Sequence, residues 1–483
     1  MRTLTFTVLA AAVSACTSVG PDYQAPEAAL PASFHQEPAE VASGPSLESA
    51  EVVLATWWTA FDDPVLTELI TRALASNTDL RAAYARIAEA EAQLGVSRAL
   101  RNPRLDLSGD YTRTGITENS QFGLFPGQER EFDSYSLGLA ASWELDLWGR
   151  AARSIEAAGA ELDARAFELY AARVSLAGQV GDAYLRLRAL QSRAEVARDD
   201  VEVLGEQLET ARARYQAGLV QELDVLRAST ALQSARATLP QISGQAAQVE
   251  SELGLLLATH PGELTELLAV SPEGVHVPTA AARLGTQVPA DLLRRRPDVR
   301  ATERALAAET ARIGVATADL YPELTLFGSI GLESEKPENL FESGSLVHQL
   351  GPRLSMPLFS SGGIRANIAA QDERAGQALV AHEASVLTAL HEVDAATSAI
   401  HWSRAELDAL GRARDQAELS LERSRTLYTE GLSTIDSVLE ARRELVRLAD
   451  LRAQVAAELS RAHIDLFRAL GGGWPGEAEQ PDA

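Results

Sequence analysis

The sequence has one cysteine, one lysine and two methionines. A lone cysteine excludes any disulfide within the chain and any cysteine-built metal or redox site. Aromatic residues are only 5% of the 483 positions, although 46% are hydrophobic. Alanine supplies much of that apolar count, in runs such as AEAEAQ and ALAAETARIG, which suits long helices better than a compact core of large rings. No stretch offers the ~18 consecutive apolar residues of a transmembrane helix. Acids outnumber bases, 68 Asp and Glu against 43 Lys and Arg, for a net charge of −25. That balance argues against a nucleic-acid partner, because phosphate binding calls for a basic surface. Catalytic signatures are missing too. The eight histidines are scattered, and no HExxH, GxSxG, P-loop or dinucleotide-binding pattern stands in a suitable context. The expectation is a protein that is not an enzyme and carries no cofactor and no metal.

What is present begins with MRTLTFTVLAAAVSAC. Arg2 is a short basic start, residues 4–13 are apolar, and VSAC fits a bacterial lipoprotein cleavage site. The expected product has signal residues 1–15 removed and the thiol and new amino group of Cys16 acylated. Several acyl chains give stable anchoring where one would be marginal. Thr17, standing where an Asp would favour retention in the inner membrane, points to the outer membrane. The bland alternative is an ordinary secretory signal with an incidental cysteine. Residues 16–62 read as an extended arm rich in Pro, Ala, Ser and Glu, and residues 475–483 as a tail.

The rest of the chain repeats itself. Shifted by 219, Asp79, Arg81, Gly95, Pro103, Leu105 and Gly109 recur as Asp298, Arg300, Gly314, Pro322, Leu324 and Gly328. Shifted by 213, Leu208, Arg212, Tyr215, Gly218, Leu219 and Val225 recur as Leu421, Arg425, Tyr428, Gly431, Leu432 and Val438. Two copies follow, 63–270 and 271–474, each ordered helix, strand, strand, long helix, helix. The expected strands are 104–112, 135–147, 323–332 and 346–358. Each alternates apolar and small or polar residues over roughly ten positions, the pattern of a transmembrane β-strand. In YSLGLAASWELDL the odd face would meet lipid, and the even face, with Glu144 and Asp146 near its end, a watery lumen. Hairpins on a soluble sheet would alternate equally well.

Four strands cannot close a barrel, and an open edge in hydrocarbon is prohibitively costly. Several chains must then share one barrel. Two would give eight strands around a filled interior and three would give twelve around a channel. The small residues Gly138, Ala140 and Ser142 favour the open form.

The long helices are expected at 150–215 and 363–428, followed by helices at 219–258 and 432–470. A proline-free run of 66 residues is ~100 Å of helix at ~1.5 Å per residue. Leu190, Ala194, Ala197, Val201, Leu204, Leu208, Ala211 and Tyr215 mark a heptad seam for packing on near-parallel neighbours. Glycine breaks each run at a turn tip. Glu202 and Asp415 are repeat equivalents, with Asp199 and Asp200 one turn away. In a channel of three copies such acids would form rings that repel anions or hold cations. The alternative is an outward, solvated face.

CTSVGPDYQAP, TWWTAFDDPVLTELI, NTDLRAAYARIAEAEAQLG, WELDLWGR, RYQAGLVQELDVL, LLRRRPDVRATE, YPELTLFGSIG and PLFSSGG together resemble the TolC-like outer membrane factor family, in its lipoprotein branch. They run from Cys16 to about Trp474. The resemblance implies a membrane α+β fold and a homotrimer with a twelve-stranded β-barrel on an α-helical barrel. It implies a passive exit duct for drugs, metals or other small molecules, working with a periplasmic adaptor and an inner-membrane pump of the resistance-nodulation-division type. It also implies that the tips Gly218, Leu219, Val220, Gly431, Leu432 and Ser433 meet the adaptor. Other readings are a duct for type I protein secretion and a structural periplasmic lipoprotein without a pore.

Overall fold

Asp63 starts the first long element. Its Oδ1 accepts a 2.9 Å hydrogen bond from the Leu66 amide, and Pro64 takes the first helical position, where a missing N–H costs nothing. Helix α1 (Pro64–Ser76) runs to Asn77, whose side chain caps α2 (Thr78–Ala99) by accepting from the Asp79 and Leu80 amides. Strands β1 (Arg104–Gly115) and β2 (Glu131–Leu145) and helices α3 (Arg150–Gln216) and α4 (Glu222–Leu256) complete the first repeat. The second contains α5 (Pro297–Ala318), β3 (Glu323–Ser334), β4 (Leu346–Ser355), α6 (Gly363–Thr429) and α7 (Ile435–Ala469). The two long helices have 67 residues each and the helices after them 35 each, so the internal repeat is structural as well as sequential. The computed structural model describes residues 18–26, 54–117, 131–271, 274–280 and 295–474. The signal segment 1–15, Cys16, most of the loop between β1 and β2, and the tail 475–483 lie outside the described residues.

β1 and β3 run two or three residues past the sequence expectation and β2 starts four residues before it, while two strand ends fall short of it. β2 stops at Leu145 because Asp146 turns to the next helix, where its carboxylate accepts the Ala151 and Ala152 amides at 3.1 and 2.8 Å. Asp146 is therefore a helix cap rather than a lumen acid. β4 stops at Ser355, so Met356 and Leu358 lie beyond its ladder. Pro357 between them has no N–H to continue one. Pro240 lies inside α4, where its ring removes a hydrogen bond at a cost of ~3 kcal/mol. Its neighbours Leu239 and Ile242 pack on Leu190, Ala194 and Ala197 of α3, which offsets part of that loss.

The described residues fall into two compact units, and each takes a piece from both repeats. One is bounded by Met1–Pro26, Arg86–Arg165 and Ala301–His382, and the other by Glu27–Ala85, Ala166–Arg300 and Glu383–Ala483. In the first, the described strands form one antiparallel sheet in the order β1-β2-β3-β4, with β2 and β3 joining the repeats. In the second, Trp57 is fully buried, stacked on Phe467 with ring centroids 5.6 Å apart. Gly473 donates its amide to the Leu54 carbonyl at 2.9 Å, and Trp474 packs on Phe167 and Tyr170. The TWWTAF run thus builds an aromatic core with the end of the chain.

Candidate functional site

The register of the sheet puts like residues opposite one another. Leu107 faces Leu139, Leu139 faces Ile330, Leu137 faces Leu332, and Leu324 faces Leu354. One face therefore carries leucine and isoleucine on all four strands, interspersed with Gly109, Ala141, Gly328 and Pro352 and with His348 opposite Ile330. Within one chain that face is uncovered: Leu107 is 71% exposed and Leu350 87%. The opposite face carries Asp106, Ser108, Asp110, Ser136, Gly138, Ala140, Ser142, Glu144, Thr325, Ser329 and Gln349. β1 and β4 pair on one side only. Trp143 donates its indole N–H to the Arg101 carbonyl at 2.9 Å, and Trp148 donates to the Pro322 carbonyl at 2.8 Å, closing both junctions of sheet and helix.

The turn tips are in the second unit. The Leu219 amide donates to the Arg214 carbonyl at 2.9 Å and the Gly218 amide to the Tyr215 carbonyl at 2.9 Å. In the other copy Leu432 donates to Leu427 at 2.9 Å and Gly431 to Tyr428 at 3.1 Å. Both are Schellman ends with glycine at positive φ, +72° and +78°. Each presents a large apolar side chain, Leu219 or Leu432, to solvent. Behind the tips, Leu204, Leu208, Ala211, Ala228, Leu232, Leu421, Tyr428, Ile435, Val438 and Leu439 form one core from all four helices.

The seam holds to Ala211 and fails at Tyr215, which is 46% exposed, while its repeat equivalent Tyr428 is only 8% exposed. The neighbour decides this. Arg214 lies over the Tyr428 ring, 4.6 Å from its centroid, and donates to the Tyr428 carbonyl at 3.0 Å. The residue equivalent to Arg214 is Leu427, which cannot do the same. Burial pushes the Tyr428 hydroxyl above its usual range, against the opposite pull of Arg214.

The four candidate acids separate. Asp200 accepts from Arg442 at 2.8 Å in a largely buried ion pair. Asp199 and Glu202 line a groove of about 970 Å³ in the second unit with His276, Asp408, Arg414 and Glu418. Asp415 is exposed on α6, one residue beyond Arg414. No group of three or more His, Cys, Asp or Glu among the described residues is arranged to hold a metal ion. Sequence reasoning missed the Arg214–Tyr428 stack, although a cation preceding only one of two equivalent tyrosines was a visible signal.

Comparison with known proteins agrees with this architecture. The pattern of the outer membrane efflux protein family matches residues 69–259 and 288–472. The chain belongs to the outer membrane efflux protein family. The chain is 31% identical over 462 residues to Nodulation protein T of Rhizobium leguminosarum bv. trifolii, covering 96% of this chain and 95% of the relative. It is 32% identical over 486 residues to the toluene efflux pump outer membrane protein TtgF of Pseudomonas putida, covering 98% and 97%. The solved structure of the outer-membrane channel OprN superposes with a TM-score of 0.84 at 33% identity, covering 95% of this chain and 100% of that one. This efflux protein therefore resides in the outer membrane, β1–β4 are its membrane-spanning strands, and its role is that of an efflux channel, in a family of ducts rather than of enzymes.

Proposed function

We propose that three copies of the chain close a twelve-stranded barrel in the outer membrane and form the exit duct of a tripartite efflux pump. The observation that carries this reading is the sheet. It has a largely apolar face and, among the described residues, two unpaired edges, β1 and β4, within a family of outer membrane channels. Unpaired backbone groups in hydrocarbon cost several kcal/mol each, so the edges demand partners. Identical copies supply them, β4 of one against β1 of the next. The opposite face, mostly small and polar but with Phe327 and Val347 on it, then lines a lumen wide enough to be open.

In this reading Cys16 carries the acyl anchor and the duct extends from the outer membrane into the periplasm. The tips Gly218–Val220 and Gly431–Ser433 meet a periplasmic adaptor, which links the duct to an inner-membrane pump of the resistance-nodulation-division type. Relatives named for toluene and solvent efflux and for pyoverdine export support a small-molecule cargo. The exposed acids Glu202 and Asp415 are the candidates for charge selection at the inner end, with Asp199 beside them. Native mass spectrometry of detergent-purified protein and planar-bilayer recording test the reading together. A trimer with discrete single-channel conductance is expected. A well-folded monomer that spans a bilayer alone would refute it.

A further inference from the structure

Residues 18–26 lie against the fold. The Val19 amide donates to the Trp148 carbonyl at 3.0 Å, in the turn between β2 and α3. Arg153, in the first turn of α3, is only 4% exposed. Its Nε donates to the Val19 carbonyl at 3.2 Å, its Nη2 to Asp22 Oδ1 at 2.6 Å and to the Gly20 carbonyl at 3.5 Å. Its Nη1 donates to Glu156 at 2.8 Å, which fixes the guanidinium from its own helix. One side chain thus binds three acceptors of the arm and Glu156 besides, four in all, one more than the three donors of a lysine ammonium can serve.

The backbone is shaped for the same contact. Gly20 has φ +89°, and a Cβ there would sit 2.4 Å from Gly314 Cα. Gly149 has φ +78°, and a Cβ there would sit 2.5 Å from Ser18 Oγ. A Cβ on Gly314 would lie 2.9 Å from the Val19 carbonyl oxygen and 2.8 Å from Arg153 Cγ. Gly95, the repeat equivalent of Gly314, would meet nothing within 4 Å. The repeat carries the glycine twice, and only the copy under the arm uses it. Farther along, Tyr23 packs with Ala160, Ala307 and Ala308 and donates to Glu303 at 3.2 Å.

We propose that Arg153 is a positioning residue for the arm: it locks residues 18–23 onto the turn between β2 and α3, so that the N-terminal anchor and the membrane-spanning strands are held in one register. Two residues of chain reach at most ~7 Å, so a docked Ser18 leaves an anchor at Cys16 almost no slack. The docking stands on the contacts above. Its consequence for membrane anchorage rests on acylation of Cys16, part of the function proposed above.

Hydrogen exchange on the full-length protein in detergent tests the docking. In the wild type the peptide covering residues 18–26 should be protected. Arg153→Ala should speed its exchange about tenfold or more, and Asp22→Asn, at a partner 87% exposed, should speed it about two- to fivefold, with β1–β4 unchanged. Arg153→Lys should fall between. Gly314→Ala should release the arm, and Gly95→Ala should not. Equal exchange of the arm in the wild type and the Asp22→Asn variant would overturn the proposal. So would an Arg153→Ala variant that loosens strands and arm alike while Asp22→Asn leaves the arm protected. If Arg153→Ala does not fold, Asp22→Asn decides alone. Intact mass of the N-terminal peptide reports acylation separately. A missing acyl mass would remove the consequence for anchorage and leave the docking standing.

Discussion

Asn77 and Arg296 occupy equivalent positions in the two repeats, and each donates a 2.9 Å hydrogen bond to the last residue of a 35-residue helix. Asn77 Nδ2 reaches the Leu256 carbonyl at the end of α4, and Arg296 Nη1 reaches the Ala469 carbonyl at the end of α7. The contact recurs across the internal repeat although the residue type does not. Arg296 is buried, is paired with Asp298 and Glu392, and also packs under Gly471.

The difference in chemistry predicts a difference in cost. Asn77→Ala removes a cap and one further hydrogen bond, worth about 2 kcal/mol together. Arg296→Ala leaves the Ala469 carbonyl without its donor and removes a buried side chain packed under Gly471, while Asp298 and Glu392 stay partly solvated, a loss of about 3 kcal/mol. Denaturant unfolding of the purified protein should rank them in that order, and equal costs would contradict the account.

Tyr428 and Tyr215 should respond oppositely despite their shared repeat position. Tyr428→Ala opens a hole in the core behind the tips and should cost about 3 kcal/mol. Tyr215→Ala changes an exposed ring and should stay within about 0.5 kcal/mol. Arg214→Ala should weaken the protein in the wild-type background and do so less once Tyr428 is alanine, where only the hydrogen bond to the residue 428 carbonyl remains. Thermal unfolding of the single and double variants checks the coupling.

The acids divide by their partners. Asp200→Asn leaves Arg442 buried without its carboxylate and should destabilise the helices with little change in conductance. Glu202→Gln with Asp415→Asn leaves the fold intact and should change cation block or single-channel current. Currents identical to wild type would remove both acids from any gate.

At the tips, Leu219→Asp with Leu432→Asp should abolish pump-dependent resistance to a toxic cargo while bilayer conductance persists. Both leucines are exposed, so stability should not change. Gly218→Ala and Gly431→Ala meet no atoms, and the cost is that of positive φ alone, about 1 kcal/mol each. Loss of conductance in the leucine pair would show that the tips serve the pore itself.

Burial lowers the basicity of His463, with Arg404 acting in the same direction and the Leu459 carbonyl against it. Its folded pKa thus lies below the ordinary 6.5. Above 6.5 the imidazole is neutral folded or unfolded and costs nothing. As pH falls below that value only the unfolded chain takes up the proton, so stability declines until the folded pKa is passed. The apparent melting temperature should fall over this range in the wild type and fall less in His463→Gln.

The linear pattern already determined the repeat, the four strands and the four long helices, because dyad alternation, proline-free runs and paired glycines act locally along the chain. It also determined that the sheet is incomplete, since a strand count needs no coordinates. Strand ends shifted where a single side chain took a second task, as Asp146 did in capping α3. Tertiary structure alone decided where the two copies part company. Arg214 buries Tyr428 and not Tyr215, Arg442 takes Asp200 out of the acid group, and Arg153 gives Gly314 a purpose that Gly95 lacks. Those choices depend on which distant residues meet across helices, and a sequence repeat records only that two positions began alike.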